Sequence, residues 1–241
     1  MLKQLFAAVA GGIMIAIGGC VYLSALPLTL GSFVGAFFFS VALVCICYKG
    51  YGLFTGRVGY FPATPTLEEA KGLGMTLLGN AIATFLIGAL IFATTKEMQS
   101  GMAAFAYALA VGKVATPWYL TLLRAVLCGV LMYLAVSIYR EKNTVTGILF
   151  CVPAFIIAGF EHSIADMFYF AASGYRALDG LWFLLLVIVG NAIGGMLLPL
   201  LTKLGDRCQR IEDATETEEE EETEEKEETE GEEAPVAEEV E

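Results

Sequence analysis

Apolar residues run through this chain in long, nearly unbroken stretches, at residues 4–26, 29–59, 72–95, 117–139, 144–174 and 181–204. Each reaches the roughly 20 residues that a helix needs to cross the hydrocarbon core of a bilayer. Inside lipid a chain must satisfy its own backbone hydrogen bonds, so the pattern predicts an all-α membrane protein with six transmembrane helices. The composition agrees. Hydrophobic residues make up 57% of the chain and the mean hydropathy is +0.68, well outside the range of soluble domains. The first run is long and no small-residue cleavage site follows it, so it reads as a span rather than a signal peptide.

Two of the runs, 29–59 and 144–174, are too long for simple helices. The first holds Lys49-Gly50-Tyr51-Gly52 in mid-course and the second holds Glu161-His162-Ser163 and Asp166. Glycines beside a charge predict a break in the first, although Gly50 and Gly52 also suit a loop between two short helices, and the ionisable cluster in the corresponding middle of the second predicts a break there. Paired interruptions at corresponding positions point to a translocation site. A short repeat supports that pairing: Leu78-Gly79-Asn80-Ala81-Ile82 in the third run returns as Val189-Gly190-Asn191-Ala192-Ile193 in the sixth. In a three-plus-three arrangement these copies lie in spans of opposite direction, an inverted repeat with broken second and fifth helices. Asn80 and Asn191 are then expected to tie down backbone groups freed by the breaks. Residues 102–111, between the third and fourth runs, are too few to cross and suit a half-inserted or interfacial helix.

Charge divides the chain in two. The net charge of −12 arises from residues 212–241, which hold 18 of the 26 acidic residues. Residues 1–211 carry 13 Lys and Arg against 8 Asp and Glu. The expected organisation is therefore a membrane domain over 1–211 and an acidic, disordered cytoplasmic tail over 212–241. With the N-terminus in the cytoplasm, that face receives eight Lys and Arg, from Lys3 to Arg210, while Lys96, Lys113 and Arg176 fall opposite. The bias favours both termini inside, in a cytoplasmic (inner) membrane.

His162 is the only histidine, and an ionisable group at membrane depth is a functional candidate by default. Such a ring suits a proton relay or an acid sensor, and equally a satisfied structural donor. Glu161 and Asp166, five positions apart on a helix, are expected to point in different directions. Glu161 is then assigned to supporting the broken backbone and Asp166 to partial exposure. Five of the six cysteines lie in apolar runs, where small buried thiols are ordinary. One histidine cannot complete the usual zinc patterns, so neither a metal nor another cofactor is expected.

Together these segments resemble the formate/nitrite transporter family. Phe160-Glu161-His162-Ser163-Ile164-Ala165-Asp166-Met167 is similar to that family's F-E-H-S-I-A-N-M segment, with Asp166 in place of Asn. Leu53-Phe54-Thr55 matches its L-F-T motif, and Gly79-Asn80 and Gly190-Asn191 match its glycine–asparagine pairs. The resemblance implies an aquaporin-like fold of six spans, a homopentamer, and a pore in each protomer. It also implies residue roles. Phe39, Leu43, Leu53 and Phe155 would form the constrictions, and His162 and Thr55 the polar waist between them. Lys3 and Lys113 would attract anions at the two mouths. Gly129 stands where many members have Asn, and the lost polarity puts the usual substrate ranking in doubt.

The physics of such a pore points the same way. A small anion faces a severe Born penalty in an apolar constriction, while basic mouths raise its local concentration. As it leaves water its conjugate acid gains stability, so passage as a neutral acid becomes cheaper. The expected partners are a small anion (formate, nitrite or hydrosulfide) and membrane lipid, with no nucleic acid. A neutral-solute channel is the alternative, but the chain has no Asn-Pro-Ala pair and no second histidine for an ammonium pore. A membrane enzyme is a weaker alternative, since no nucleophile, metal or redox cluster stands out.

Overall fold

A computed structural model describes residues 1–98 and 101–232, with side chains described as far as Thr217. Nine α-helices occur among the described residues: α1 (Leu2–Ala25), α2 (Gly31–Lys49), α3 (Phe54–Arg57), α4 (Leu67–Thr95), α5 (Met102–Val114), α6 (Trp118–Lys142), α7 (Thr146–Ile157), α8 (Ser163–Ser173) and α9 (Leu178–Glu232). A 3₁₀ turn, Val58–Ala63, follows α3. Five helices are long and apolar enough to cross a membrane: α1, α2, α4, α6 and the Leu178–Thr217 part of α9. The remaining expected span, 144–174, is divided into α7 and α8 of 12 and 11 residues. Neither alone reaches the roughly 20 residues a crossing requires. α5, with 13 residues, is about 20 Å long and also too short.

The chain falls into two compact units, Met1–Pro199 and Leu200–Glu241. In the first, α1 packs on α2 and α4, α4 on α8, α8 on α5, and α7 on α2 and α6. The core gathers around α8, in which Ile164, Phe168 and Ala172 are fully buried. Large apolar side chains also face outward, including Phe6, Phe33, Leu86, Phe150 and Trp182. That is the arrangement expected when the solvent is lipid or another protomer rather than water.

The second unit departs from the sequence reading. Residues 212–232, expected to be disordered, are helical within α9. Glu has good helix propensity, and extending an existing helix avoids the cost of nucleating a new one. The boundary between units also falls earlier than 211, at Pro199. The rest of the expected tail, 233–241, lies outside the described residues.

Both long runs are interrupted, and each helix stops in the same way. α2 is capped by Gly50 (φ +67°), and α7 is followed, after Ala158, by Gly159 (φ +69°), a left-handed conformation that glycine adopts without a Cβ penalty. The N–H of Gly50 donates to Cys47 O at 3.3 Å and that of Tyr51 to Ile46 O at 3.0 Å. The N–H of Gly159 donates to Ile156 O at 3.1 Å and that of Phe160 to Phe155 O at 2.9 Å. Each chain then runs through a residue in extended conformation, Leu53 or His162, before the next helix opens.

Candidate functional site

A helix end at membrane depth leaves backbone donors and acceptors with no water to satisfy them. Two asparagines fill that need with matching geometry. Asn80 on α4 donates from Nδ2 to Ala8 O at 2.7 Å and Gly52 O at 2.8 Å, and its Oδ1 accepts from Phe54 N at 2.9 Å. Asn191 on α9 donates to Ala125 O at 2.9 Å and Glu161 O at 2.8 Å, and accepts from Ser163 N at 2.8 Å. Each amide therefore binds one long helix, the last carbonyl of one break and the first N–H of the helix beyond it. Both asparagines are fully buried.

The two breaks bring Thr55 and His162 together. Thr55 sits in α3, and its Oγ1 lies 2.9 Å from His162 Nε2. The other ring nitrogen, Nδ1, accepts the N–H of Ala165 at 3.2 Å, which makes His162 the N-cap of α8. With Nδ1 occupied as an acceptor, a neutral ring carries its proton on Nε2, facing Thr55. Phe155 stacks on the imidazole, with ring centroids 5.6 Å apart and planes at 16°. Thr55 and His162 are 0% and 2% exposed.

Cavities lie beside each partner. The first, of about 760 Å³, is lined by Lys3, Leu43, Leu53, Gly56, Arg57 and Arg140 among others. The second, of about 250 Å³, is lined by Phe39, Lys113, Phe155, Glu161, His162 and Asp166 among others. Phe39 and Leu43 are one helical turn apart on α2, so one face of that helix carries an apolar stripe from the second cavity to the first. The site residues expected from sequence thus divide cleanly. Leu43, Leu53 and Lys3 lie at one cavity, and Phe39, Phe155, Lys113, Glu161 and His162 at the other; Thr55, whose chain neighbours Leu53 and Gly56 line the first, is bonded to His162 on the wall of the second.

Several sequence expectations change. Glu161 and Asp166 do meet, because Glu161 precedes α8 and helical projection does not govern it. Lys113 on α5 is ion-paired with Glu161 and lies 2.9 Å from Asp166 Oδ1. Asp166 is 1% exposed rather than partly exposed. Gly129 is a packing position: a methyl group there would stand 2.4 Å from Asn191 O, as one on Gly12 would stand 2.7 Å from Asn80 O. The close approach of α6 to α9 leaves no room for a polar side chain. Sequence reading noted Arg57 and Arg140 but gave neither a role at the site, and both line the first cavity. Arg57 Nη1 donates to Thr76 Oγ1 at 3.1 Å and Nη2 pairs with Glu69 at 3.4 Å. The Arg140 guanidinium lies 4.2 Å from the ring centre of Tyr60, whose phenol is pushed upward in pKa by burial. Their positions after a glycine-rich break and at the end of α6 were the available signal.

Known proteins share this architecture and sequence. The chain is 33% identical over 145 residues to an uncharacterized transporter, YwcJ, of Bacillus subtilis, covering 56% of this chain and 57% of that protein. It is 31% identical over 194 residues to a probable formate transporter of Methanothermobacter thermautotrophicus, covering 65% and 68% respectively. The chain therefore spans little more than half the length of YwcJ. A solved pentameric formate channel with formate bound shares the fold, with a TM-score of 0.73 at 20% identity over 86% of this chain and 97% of that one. The family model for formate/nitrite transporters matches residues 1–204. With its membrane-crossing helices, its two asparagine-held breaks and that match, the chain is an integral membrane protein of the formate/nitrite transporter family.

Proposed function

We propose that this protein conducts small monovalent weak-acid anions, with formate, nitrite and hydrosulfide as candidates, by a passive or proton-coupled route. The observation that carries the reading is the Thr55–His162 hydrogen bond of 2.9 Å, which joins Thr55, a chain neighbour of Leu53 and Gly56 on the wall of the first cavity, to His162 on the wall of the second. Leu43 and Leu53 restrict one approach and Phe39 and Phe155 the other, so an ion would shed most of its water before reaching the pair. A partner that can share a proton at that point lets the solute pass nearer to its neutral acid form. Lys3 at the larger cavity raises the local anion concentration, and Arg57 and Arg140 lend the same sign to its walls.

The wider architecture belongs to the same proposal. Six spans form two inverted halves, α2–α3 and α7–α8 each serving as one broken helix. The matching hydrogen bonds of Asn80 and Asn191 support this. Each protomer carries its own pore within a ring of five, a reading supported by the pentameric formate channel of like fold. Both termini lie in the cytoplasm, so the Lys3 cavity opens inward.

The test is flux in proteoliposomes with formate, nitrite, hydrosulfide and glycerol in parallel. At least one weak acid is expected to move and glycerol is not. Absence of flux for all three acids, at acidic and at neutral pH, overturns the reading, and glycerol flux alone replaces it with a neutral-solute channel.

A further inference from the structure

The smaller cavity holds two carboxylates for one lysine. Lys113 is ion-paired with Glu161 and stands 2.9 Å from Asp166 Oδ1, and the acidic side chains are 3% and 2% exposed. Glu161 and Lys113 balance each other, so Asp166 decides the local charge. Its second oxygen, Oδ2, is buried with no hydrogen-bond partner among the described residues. A second carboxylate charge sharing one lysine, with an oxygen left bare, is expensive in such a place and a proton is not. The carboxyl of Asp166 is therefore a place where one unit of charge comes and goes beside the path to His162.

The surroundings do not fix that charge. α5 contributes Lys113, the segment before α8 contributes Glu161 and His162, and α6 contributes Arg124 on the cavity wall. Tyr22 of α1, Tyr169 of α8 and Cys128 of α6 are phenols and a thiol, neutral in acidic and neutral solution. The ionisable side chains of α4 (Glu68, Glu69 and Lys71) lie in its first turns, and α9 offers Phe183, 5.9 Å from Lys113 Nζ. Counting Arg124 changes the total but not the step of one charge.

We propose that Asp166 sets anion affinity at this vestibule: protonated, it admits the substrate anion, and ionised, it repels it. The proposal rests on the transport reading above and assigns to one residue the pH response of one mouth. Because the effect is on local concentration, it acts on the half-saturating concentration and not on the maximal rate. His162 protonation would change the charge in the same direction, so variants rather than pH alone separate the two.

Isotopic formate exchange at equal pH on both sides of oriented proteoliposomes reads this directly. In the wild type, the half-saturating concentration on the Lys113 side should rise on the order of tenfold from acidic to neutral pH. In Asp166→Asn it should stay low at both, and nitrite should show the same pattern, since the titrating group belongs to the protein. Asp166→Ser, equally uncharged, serves if the Asn variant does not assemble. An uncharged variant that keeps the wild-type rise, or a wild type without one, overturns the proposal while transport stands. A wild type that moves no weak acid overturns the transport reading itself, and this proposal with it.

Discussion

His162 does two jobs with two nitrogens. Nδ1 holds the first turn of α8 by accepting from Ala165 N, while Nε2 reaches Thr55. The two separate by substitution. His162→Asn keeps a side chain well suited to capping but too short to reach Thr55, so a folded oligomer with altered pH dependence of flux is expected. His162→Phe loses the cap as well and should be less stable by about 1 kcal/mol. Thermal unfolding of the purified oligomer and flux across a pH series measure the two effects. If the Asn variant keeps the wild-type pH profile, the ring is a structural donor and not a switch. The sequence made His162 conspicuous through its rarity and depth. It did not reveal the cap, because the ring's role depends on where α8 begins. The separation assumed for Glu161 and Asp166 failed for the same reason.

At the scale of elements, each break is held by one amide. Removing it strands the buried N–H of Phe54 or Ser163 and the buried carbonyl of Gly52 or Glu161, each at a cost of about 1–3 kcal/mol, while the mid-helix carbonyl of Ala8 or Ala125 keeps its intrahelical bond. Asn80→Ala and Asn191→Ala should each lower the melting temperature of the oligomer and weaken flux. Aspartate at either position should not rescue it, since it keeps the acceptor and loses both donated bonds. An Asn80→Ala protein with wild-type stability would mean that the Gly50–Leu53 segment holds itself. The repeat Leu-Gly-Asn-Ala-Ile and Val-Gly-Asn-Ala-Ile announced the pairing, glycines beside Lys49 announced one break, and the Glu161-His162-Ser163 cluster announced the other. The lengths on either side were not legible. Apolar residues continue across each interruption, so hydropathy alone could not show that 144–174 divides into helices of 12 and 11 residues.

For the whole molecule, charge separates what the transport site needs from what it does not. Among the described residues, both cavities are lined from within Met1–Pro199. Deleting that segment removes 18 acidic residues, and we expect assembly and transport to persist. Size-exclusion chromatography and formate flux of the truncated protein check this, and loss of either would give the tail a role beyond solubility.

The sequence by itself determined the solvent, the helical class and the paired interruptions. Each follows from local patterning: the length of apolar runs, the residues that end a helix, and an asparagine motif written twice. Only the tertiary structure decided which side chains meet. Thr55 and His162, paired beforehand through the family resemblance alone, are 107 positions apart, and Lys113 finds Asp166 from another helix. Gly129 proved to be a site of helix contact because α9 lies against it. Such encounters depend on how helices cross, and crossing is set by small residues at many contacts at once. No local pattern in the chain states it.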